Sequence, residues 1–306
     1  MRRLILVYNP RSSRYADVKK EVLEPIRVLK GYLIGKYEVE NTDVDQNAKK
    51  LAKIIKDGDL IISAGGDATA VISANAILQS GKDAHLSALP YGNFNDLSRT
   101  LGTEKLSDVL NEENAKPESI QKLYPLEIHI DGRLFRYATC YVTIGMTAEA
   151  VKLYDTPALR KKLKTNFGRK IGSYTSLASW YFKHRHRKVF LPEFKLNNEL
   201  QHPKTSDYAA VNGRFMARVM KGGNDYRKPK IFRSETDRLT GFWRLFKLMA
   251  KSIFHRIPGD ETKGDILEFI KPATVELQAE GEYHTFKDIK TIEIKKGDKC
   301  LKVIKN

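Results

Sequence analysis

The sequence predicts a chain in two parts, an α/β domain on a mostly parallel sheet followed by a β-rich domain. Three observations predict it. Short apolar runs alternate with helical periodicity through residues 1–122, as repeated βα units do. Near residue 123 the pattern changes to hairpin and strand signals. The length of 306 residues is about that of two ordinary domains.

The elements follow in order. Residues 4–8 are an apolar run closed by Asn9-Pro10, which predicts a first strand and a turn. Between residues 17 and 33, Val18, Val22, Ile26, Leu29 and Leu33 recur at helical spacing. Residues 37–40 predict a brief strand. Asp45 is expected to cap a second helix carrying Ala48, Leu51, Ala52 and Ile55. Residues 59–63 predict a buried strand, met at once by Gly65-Gly66, with a helix starting near Thr69. Residues 86–89, ended by Pro90, predict another strand. Such alternation argues for a parallel sheet covered on both faces.

The polar stretch 111–119 precedes the expected boundary near Leu123. The first domain is then 1–122 and the second 123–306, with a C-terminal tail able to return to the first. Beyond the boundary, residues 126–130, Asp131-Gly132 and residues 134–143 read as a hairpin. Residues 274–278, 291–295 and 300–304 are strand-like. Two basic, aromatic segments, 159–188 and 238–257, interrupt the strands.

Composition excludes several classes. Only Cys140 and Cys300 occur, too few for a disulfide framework or a cysteine zinc site. Both read as buried thiols of a reducing compartment. No run approaches the ~20 apolar residues of a membrane span, and the run after Arg2-Arg3 is too short for a signal peptide. The expectation is a cytoplasmic protein that is not integral to a membrane.

The formal charge of +17 is unevenly placed. Residues 1–150 hold 20 basic and 20 acidic side chains, net 0, whereas residues 151–250 hold 23 and 7, net +16. Such a block attracts polyanions, either nucleic acid or an anionic membrane surface. The lesser reading is a solvated face with no partner, since typical surfaces mix their charges. No zinc-finger, RNA-recognition or KH signature accompanies it, so no nucleic-acid partner is expected.

Residues 61–69, Ile-Ile-Ser-Ala-Gly-Gly-Asp-Ala-Thr, read as strand, glycine turn and helix start. Glycines let backbone approach a phosphate, and the N–H groups of the following helix point at the anion. Asp67 inside such a loop repels phosphate unless a metal or an incoming hydroxyl proton compensates. The Gly-Lys-Ser/Thr ending of a Walker loop is absent. So is the three-glycine dinucleotide spacing. By itself the segment is also compatible with an ordinary turn.

With these residues in view, the sequence resembles the diacylglycerol kinase catalytic-domain family, especially its soluble bacterial lipid kinases. Asn9-Pro10-Arg11-Ser12-Ser13 is similar to the family's opening Asn-Pro-x-Ser-Gly. Thr42 resembles its threonine before the second helix. Gly65 to Thr69 resembles Gly-Gly-Asp-Gly-Thr, with Ala68 for glycine. Pro90-Tyr91-Gly92-Asn93-Phe94-Asn95-Asp96-Leu97-Ser98-Arg99 is similar to Pro-x-Gly-Thr-Gly-Asn-Asp-Phe-Ala-Arg. Thr143-Ile144-Gly145-Met146-Thr147-Ala148-Glu149 resembles Ser-Ile-Gly-Phe-Asp-Ala-Glu, and Glu280-Gly281-Glu282 resembles the closing Asp-Gly-Glu.

The resemblance implies an α/β nucleotide domain followed by a β-sandwich domain, the fold also found in NAD kinase. It implies transfer of the γ-phosphoryl group of ATP to a lipid hydroxyl, with magnesium. Asn9, Ser12, Thr42, Gly65, Gly66 and Thr69 would hold the nucleotide, and Asp67 would place metal and phosphate. Glu280 would accept the hydroxyl proton, supported by Glu282 at the nucleotide. Gly92, Asn95, Asp96 and Arg99 would face the substrate, although Asn95 and Asp96 could also cap the helix running to Leu101. The family's Asp-Asp-Gly at a structural magnesium stands here as Thr236-Asp237-Arg238, so Asp237 is the surviving candidate ligand and Arg238 opposes a cation.

Other departures are Asn93-Phe94 for Thr-Gly and Glu280 for aspartate. NAD kinase, which shares the Gly-Gly-Asp loop, and a degenerate protein that binds nucleotide or anionic lipid without turnover are the alternatives. Projection of residues 238–257 as a helix puts Leu239, Phe242, Phe246, Met249, Ile253 and Ile257 on one face and Arg244, Lys247 and Lys251 opposite. That describes a membrane-surface helix or, equally, a core-packed one. The partners expected are thus a lipid substrate and an anionic membrane surface.

Overall fold

The computed structural model describes residues 2–12, 14–111, 120–149, 191–200, 205–216, 220–221, 230–235, 260–262 and 265–305, with 175, 179, 182 and 183. The segments 159–188 and 238–257 therefore lie largely or wholly outside the described residues, as does Asp237. The chain divides into two compact units, Met1–Pro125 with Gly297–Asn306, and Leu126–Lys296.

The first unit holds β1 (Arg2–Tyr8), β2 (Tyr32–Glu38), β3 (Leu60–Gly65), β4 (His85–Pro90) and β5 (Ile120–Leu123). With the closing strand Leu301–Ile304 they form one six-stranded sheet in the order β2, β1, β3, β4, closing strand, β5. All neighbours are parallel except β5, which runs antiparallel to the closing strand. The middle strands are apolar because both faces are covered: Leu4, Leu6, Leu60, Ile61, Ile62 and Leu86 are buried.

Helices α1 (Tyr15–Val18) and α2 (Glu24–Arg27) are joined by a π-helical turn, Lys19–Leu23, which buries Val22 and Leu23. Then come α3 (Val44–Ala52), α4 (Asp67–Ser80), α5 (Asp96–Leu101) and α6 (Leu106–Leu110).

Several local expectations are corrected. The first helix ends at Arg27, not Leu33, and the next strand begins at Tyr32 rather than Tyr37. Gly31 at φ +87° makes the break, and Leu33 lies exposed on the edge strand. Asp43, not Asp45, caps α3, its carboxylate accepting from the Gln46 N–H at 2.9 Å. The helix after the glycines starts at Asp67. Cys140 is buried but Cys300 is partly exposed.

The second unit contains β6 (Leu126–Ile130), β7 (Arg133–Ala138), β8 (Tyr141–Gly145), β9 (Phe194–Leu196), β10 (Glu199–Leu200), β11 (Thr205–Val211), β12 (Phe215–Met216), β13 (Met220–Lys221), β14 (Lys230–Glu235), β15 (Asp260–Thr262), β16 (Ile266–Ala279) and β17 (Glu282–Lys296). Except for the small β12–β13 pair, they form one antiparallel sheet, with β15, β14, β11, β8, β16, β17, β6 and β7 in order and β9 on β16. The β6–β7 hairpin turns at Asp131-Gly132, both at positive φ (47° and 75°), which suits a tight primed turn. The expected strand 134–143 is broken at Thr139-Cys140, where the chain leaves β7 for β8. The core is built from Ile128, Val142, Ile144, Phe194, Tyr208, Leu267, Leu277 and Ile292.

Candidate functional site

In the first unit, β2 lies on one side of β1 and β3 on the other, so the order reverses between β1 and β3. Loops leaving the carboxyl ends of strands at such a reversal form the usual ligand crevice of a parallel sheet. Three loops meet there. Asn9 and Ser12 follow β1, Gly65 and Gly66 end β3, and Tyr91 and Gly92 follow β4.

Hydrogen bonds join these loops. The Ser12 hydroxyl donates to the Tyr91 carbonyl at 2.7 Å, and the Tyr91 N–H donates to the Gly65 carbonyl at 3.0 Å. The Asn9 carboxamide accepts from the Arg11 N–H at 2.9 Å, which shapes the first turn. Two glycines are dictated by packing rather than by φ. A Cβ on Gly92 would stand 2.2 Å from Gly66 Cα, and one on Gly65 would stand 2.3 Å from the Thr69 hydroxyl. Thr69 is buried beneath the loop. Thr42 is exposed between β2 and α3, at the same carboxyl end of the sheet.

Asp67 opens α4, and its side chain reaches the third loop. Its carboxylate oxygens accept from the Asn95 N–H at 3.0 Å and the Asp96 N–H at 2.7 Å. It thereby caps α5 from another element. Asn95 is not the side-chain cap. It takes a left-handed φ of 58° and closes its own loop, accepting from the Gly92 N–H at 2.7 Å and donating to the Gly92 carbonyl at 2.9 Å. Asp96 is buried and Arg99 half-buried. Burial raises the Asp67 carboxyl above its ordinary range, while the Asp96 and Asn95 N–H groups and the Arg99 charge pull the other way.

Among the described residues, no three His, Cys, Asp or Glu side chains gather as a metal centre. A magnesium ion carried on phosphates needs only one or two carboxylates. Asp67 fits that demand, because the N–H groups of Asn95, Asp96 and Asp67 itself take three of the about four acceptor sites of its carboxylate and leave one for a cation.

In the second unit, Glu280 sits at φ 49° in the turn between β16 and β17. It is buried, and one carboxylate oxygen accepts from both the Thr139 hydroxyl and the Cys140 N–H. Glu282, two residues on, pairs with the buried Arg136 guanidinium. Arg136 also lies 3.2 Å from His284 Nε2. Thr147, from the expected Thr-Ile-Gly stretch, donates through its N–H (3.0 Å) and its hydroxyl to Asp207. Burial pushes the Asp207 carboxyl up to about 7 against those two bonds.

The structure thus brings Ser12, Gly65, Gly66, Asp67, Thr69, Gly92, Asn95 and Asp96 together, and separately brings Glu280 and Glu282 together at one turn. Thr139, Arg136, Asp207 and Asn212 were not singled out by the sequence. Asn212-Gly213 is a turn dipeptide, a signal from which that corner could have been found.

Residues 3–122 match the diacylglycerol kinase catalytic domain. Over that stretch the chain resembles the family. A diacylglycerol kinase of Bacillus subtilis (strain 168) is 29% identical over 176 residues, which span 55% of this chain and 52% of that relative. A crystal structure of a diacylglycerol kinase from Bacillus anthracis str. Sterne aligns over 99% of this chain and 97% of its own, with TM-score 0.60 and 14% identity. A candidate diacylglycerol kinase from the same organism aligns over the same shares, with TM-score 0.63 and 17% identity. These likenesses show a diacylglycerol kinase fold, with its mostly parallel sheet and its antiparallel sheet.

Proposed function

We propose that the protein is an ATP-dependent lipid kinase acting at a membrane surface. The observation that carries the reading is the loop cluster around Gly66 and Gly92, whose backbones pack too closely for a side chain and which Asp67 ties to α5. Bare backbone at a helix start suits phosphates, and residues 3–122 match a kinase catalytic domain.

In this reading Ser12, Gly65, Gly66 and Thr69 cradle ATP, with Asn9 and Thr42 at the same end of the sheet. Gly92, Asn95, Asp96 and Arg99 line the acceptor side. Magnesium, when bound with the phosphates, neutralises charge that develops in transfer. Asp67 would hold it. Glu280 takes the proton from the lipid hydroxyl, whose oxygen forms the new bond to the γ-phosphorus as the bond to ADP breaks and ADP departs with that electron pair.

The test is radiolabelled ATP incubated with magnesium and a mixed lipid extract. A labelled lipid supports the reading. Labelled NADP, when NAD is added, moves the assignment to an NAD kinase. No labelled product from a protein that still binds ATP points to a degenerate kinase, for which Ala68 and Glu280 are the departures to examine first.

A further inference from the structure

The Thr139-Cys140 corner between β7 and β8 is built around Glu280. Thr139, Cys140 and Glu280 are all buried. Behind the corner stands Asn212, also buried, just after β11. Its carboxamide donates to the Thr139 carbonyl at 3.1 Å, and its N–H and that of Gly213 donate to the Cys140 carbonyl at 2.7 and 2.8 Å. A Cβ on Gly213 would stand 3.0 Å from the Cys140 side chain, so the brace is tight. The Glu280 N–H also donates to the Tyr141 carbonyl at 3.3 Å.

These contacts answer a problem of reach. Glutamate has one more rotatable bond than aspartate, and a misplacement of about 1 Å can cost about 10²-fold in rate. Two donors on one oxygen pin that oxygen and so restrict the side-chain torsions that place it. They also favour the ionised form, the form that can take a proton.

We propose that Thr139 is the positioning residue for Glu280, with Asn212 holding Thr139 in register. The inference rests on the reading of Glu280 as the proton acceptor. Thr139 touches no reacting atom in it. It sets where the carboxylate stands and keeps it ready to receive the lipid hydroxyl proton.

The experiment is steady-state phosphorylation of dioleoylglycerol in anionic phospholipid vesicles by the full chain. Thr139→Val keeps shape but loses the donor. We expect kcat to fall about 10- to 100-fold, KM for ATP to stay within about twofold, and the acidic limb of the kcat–pH profile to move to higher pH. Thr139→Ser should restore both kcat and the profile. Asn212→Ala, which leaves Glu280 and its two donors in place, should give a smaller fall in kcat and carries the test if Thr139→Val does not fold. A folded Thr139→Val or Asn212→Ala variant with wild-type kcat and pH profile overturns the positioning role. Wild-type protein that binds ATP but labels no lipid overturns instead the assignment on which it rests.

Discussion

Gly92 has no room for a side chain because Gly66 is in the way: a Cβ there would lie 2.2 Å from Gly66 Cα and 2.9 Å from the Asn95 carboxamide oxygen. The loops after β3 and β4 are therefore in backbone contact. Gly92→Ala should force them apart, at a cost of about 1–3 kcal/mol, and weaken ATP binding more than it lowers the melting temperature. Calorimetric titration beside a melting curve checks this, and wild-type affinity would mean that the contact is not part of the nucleotide site.

Asp67 holds two backbone N–H groups of another loop, so it should matter before any ligand arrives. Asp67→Ala should destabilise the ligand-free protein by about 1–3 kcal/mol, the range for a lost cap that leaves buried donors unmet. Asp67→Asn, which retains one acceptor, should fall between. Urea unfolding without nucleotide measures this. An unchanged midpoint in both variants would assign Asp67 to ligand binding alone.

Asp207 makes stability depend on pH in an unusual direction. Its carboxyl is raised from an ordinary 3.8 to about 7 by burial. A raised acid supports the fold only while protonated, so its contribution is whole below about pH 4 and is lost as pH rises through about 7. Asp207→Asn cannot ionise. Denaturant midpoints of the two proteins should converge near pH 4, and the variant should gain relative to wild type up to pH 8. A constant difference would show that the fold does not raise the Asp207 carboxyl.

Arg136 cannot lose its charge, and its side chain is only 2% exposed. Glu282→Ala would leave that charge without its carboxylate, a change that costs about 3–5 kcal/mol when one member of a buried pair is removed. Glu282→Gln, which still accepts from Arg136, should cost less. Thermal melts of both variants give the comparison.

The block of +16 over residues 151–250 predicts affinity for anionic but not neutral vesicles, each basic side chain near the surface adding about 1 kcal/mol. Sedimentation with vesicles should show binding that weakens with salt. Trp243 flanks the apolar face of the projected helix 238–257, and Trp243→Ala with Phe246→Ala should weaken binding further if those rings insert. If they are core residues, the double variant should melt far below wild type instead.

What the sequence revealed follows from distance along the chain. The strand, glycines and helix of 60–80 are contiguous, so apolar run, turn and helix start could be read in one window. The edge strand Tyr32–Glu38 could not. Its outer side demands no apolar repeat, and the spacing of Leu29 and Leu33 happens to continue a helix. Asp43 and Asp45 compete as caps on composition, and only the reach to the Gln46 N–H decides. The family resemblance singled out Glu280, but Thr139 and Cys140, from which its carboxylate accepts, lie 141 and 140 residues away. Nothing local to residues 139–140 marks them, since a threonine that serves a carboxylate looks like any strand threonine until the sheet has folded.

The closing strand Leu301–Ile304 fills the gap between β4 and β5, with Leu301 and Val303 fully buried and the Gly297 N–H bonded to the Pro125 carbonyl at 2.7 Å. The second unit is thus a long excursion that leaves and re-enters the first at one doorway. On the ribosome, the first unit has to wait. Its sheet has an open slot until every residue of the second unit has been made, and a strand translated after that unit is the one that seals it. A nascent chain stalled before residue 297 would present β4 and β5 as two unpaired edges, the state in which chaperone capture and strand exchange between chains are to be looked for.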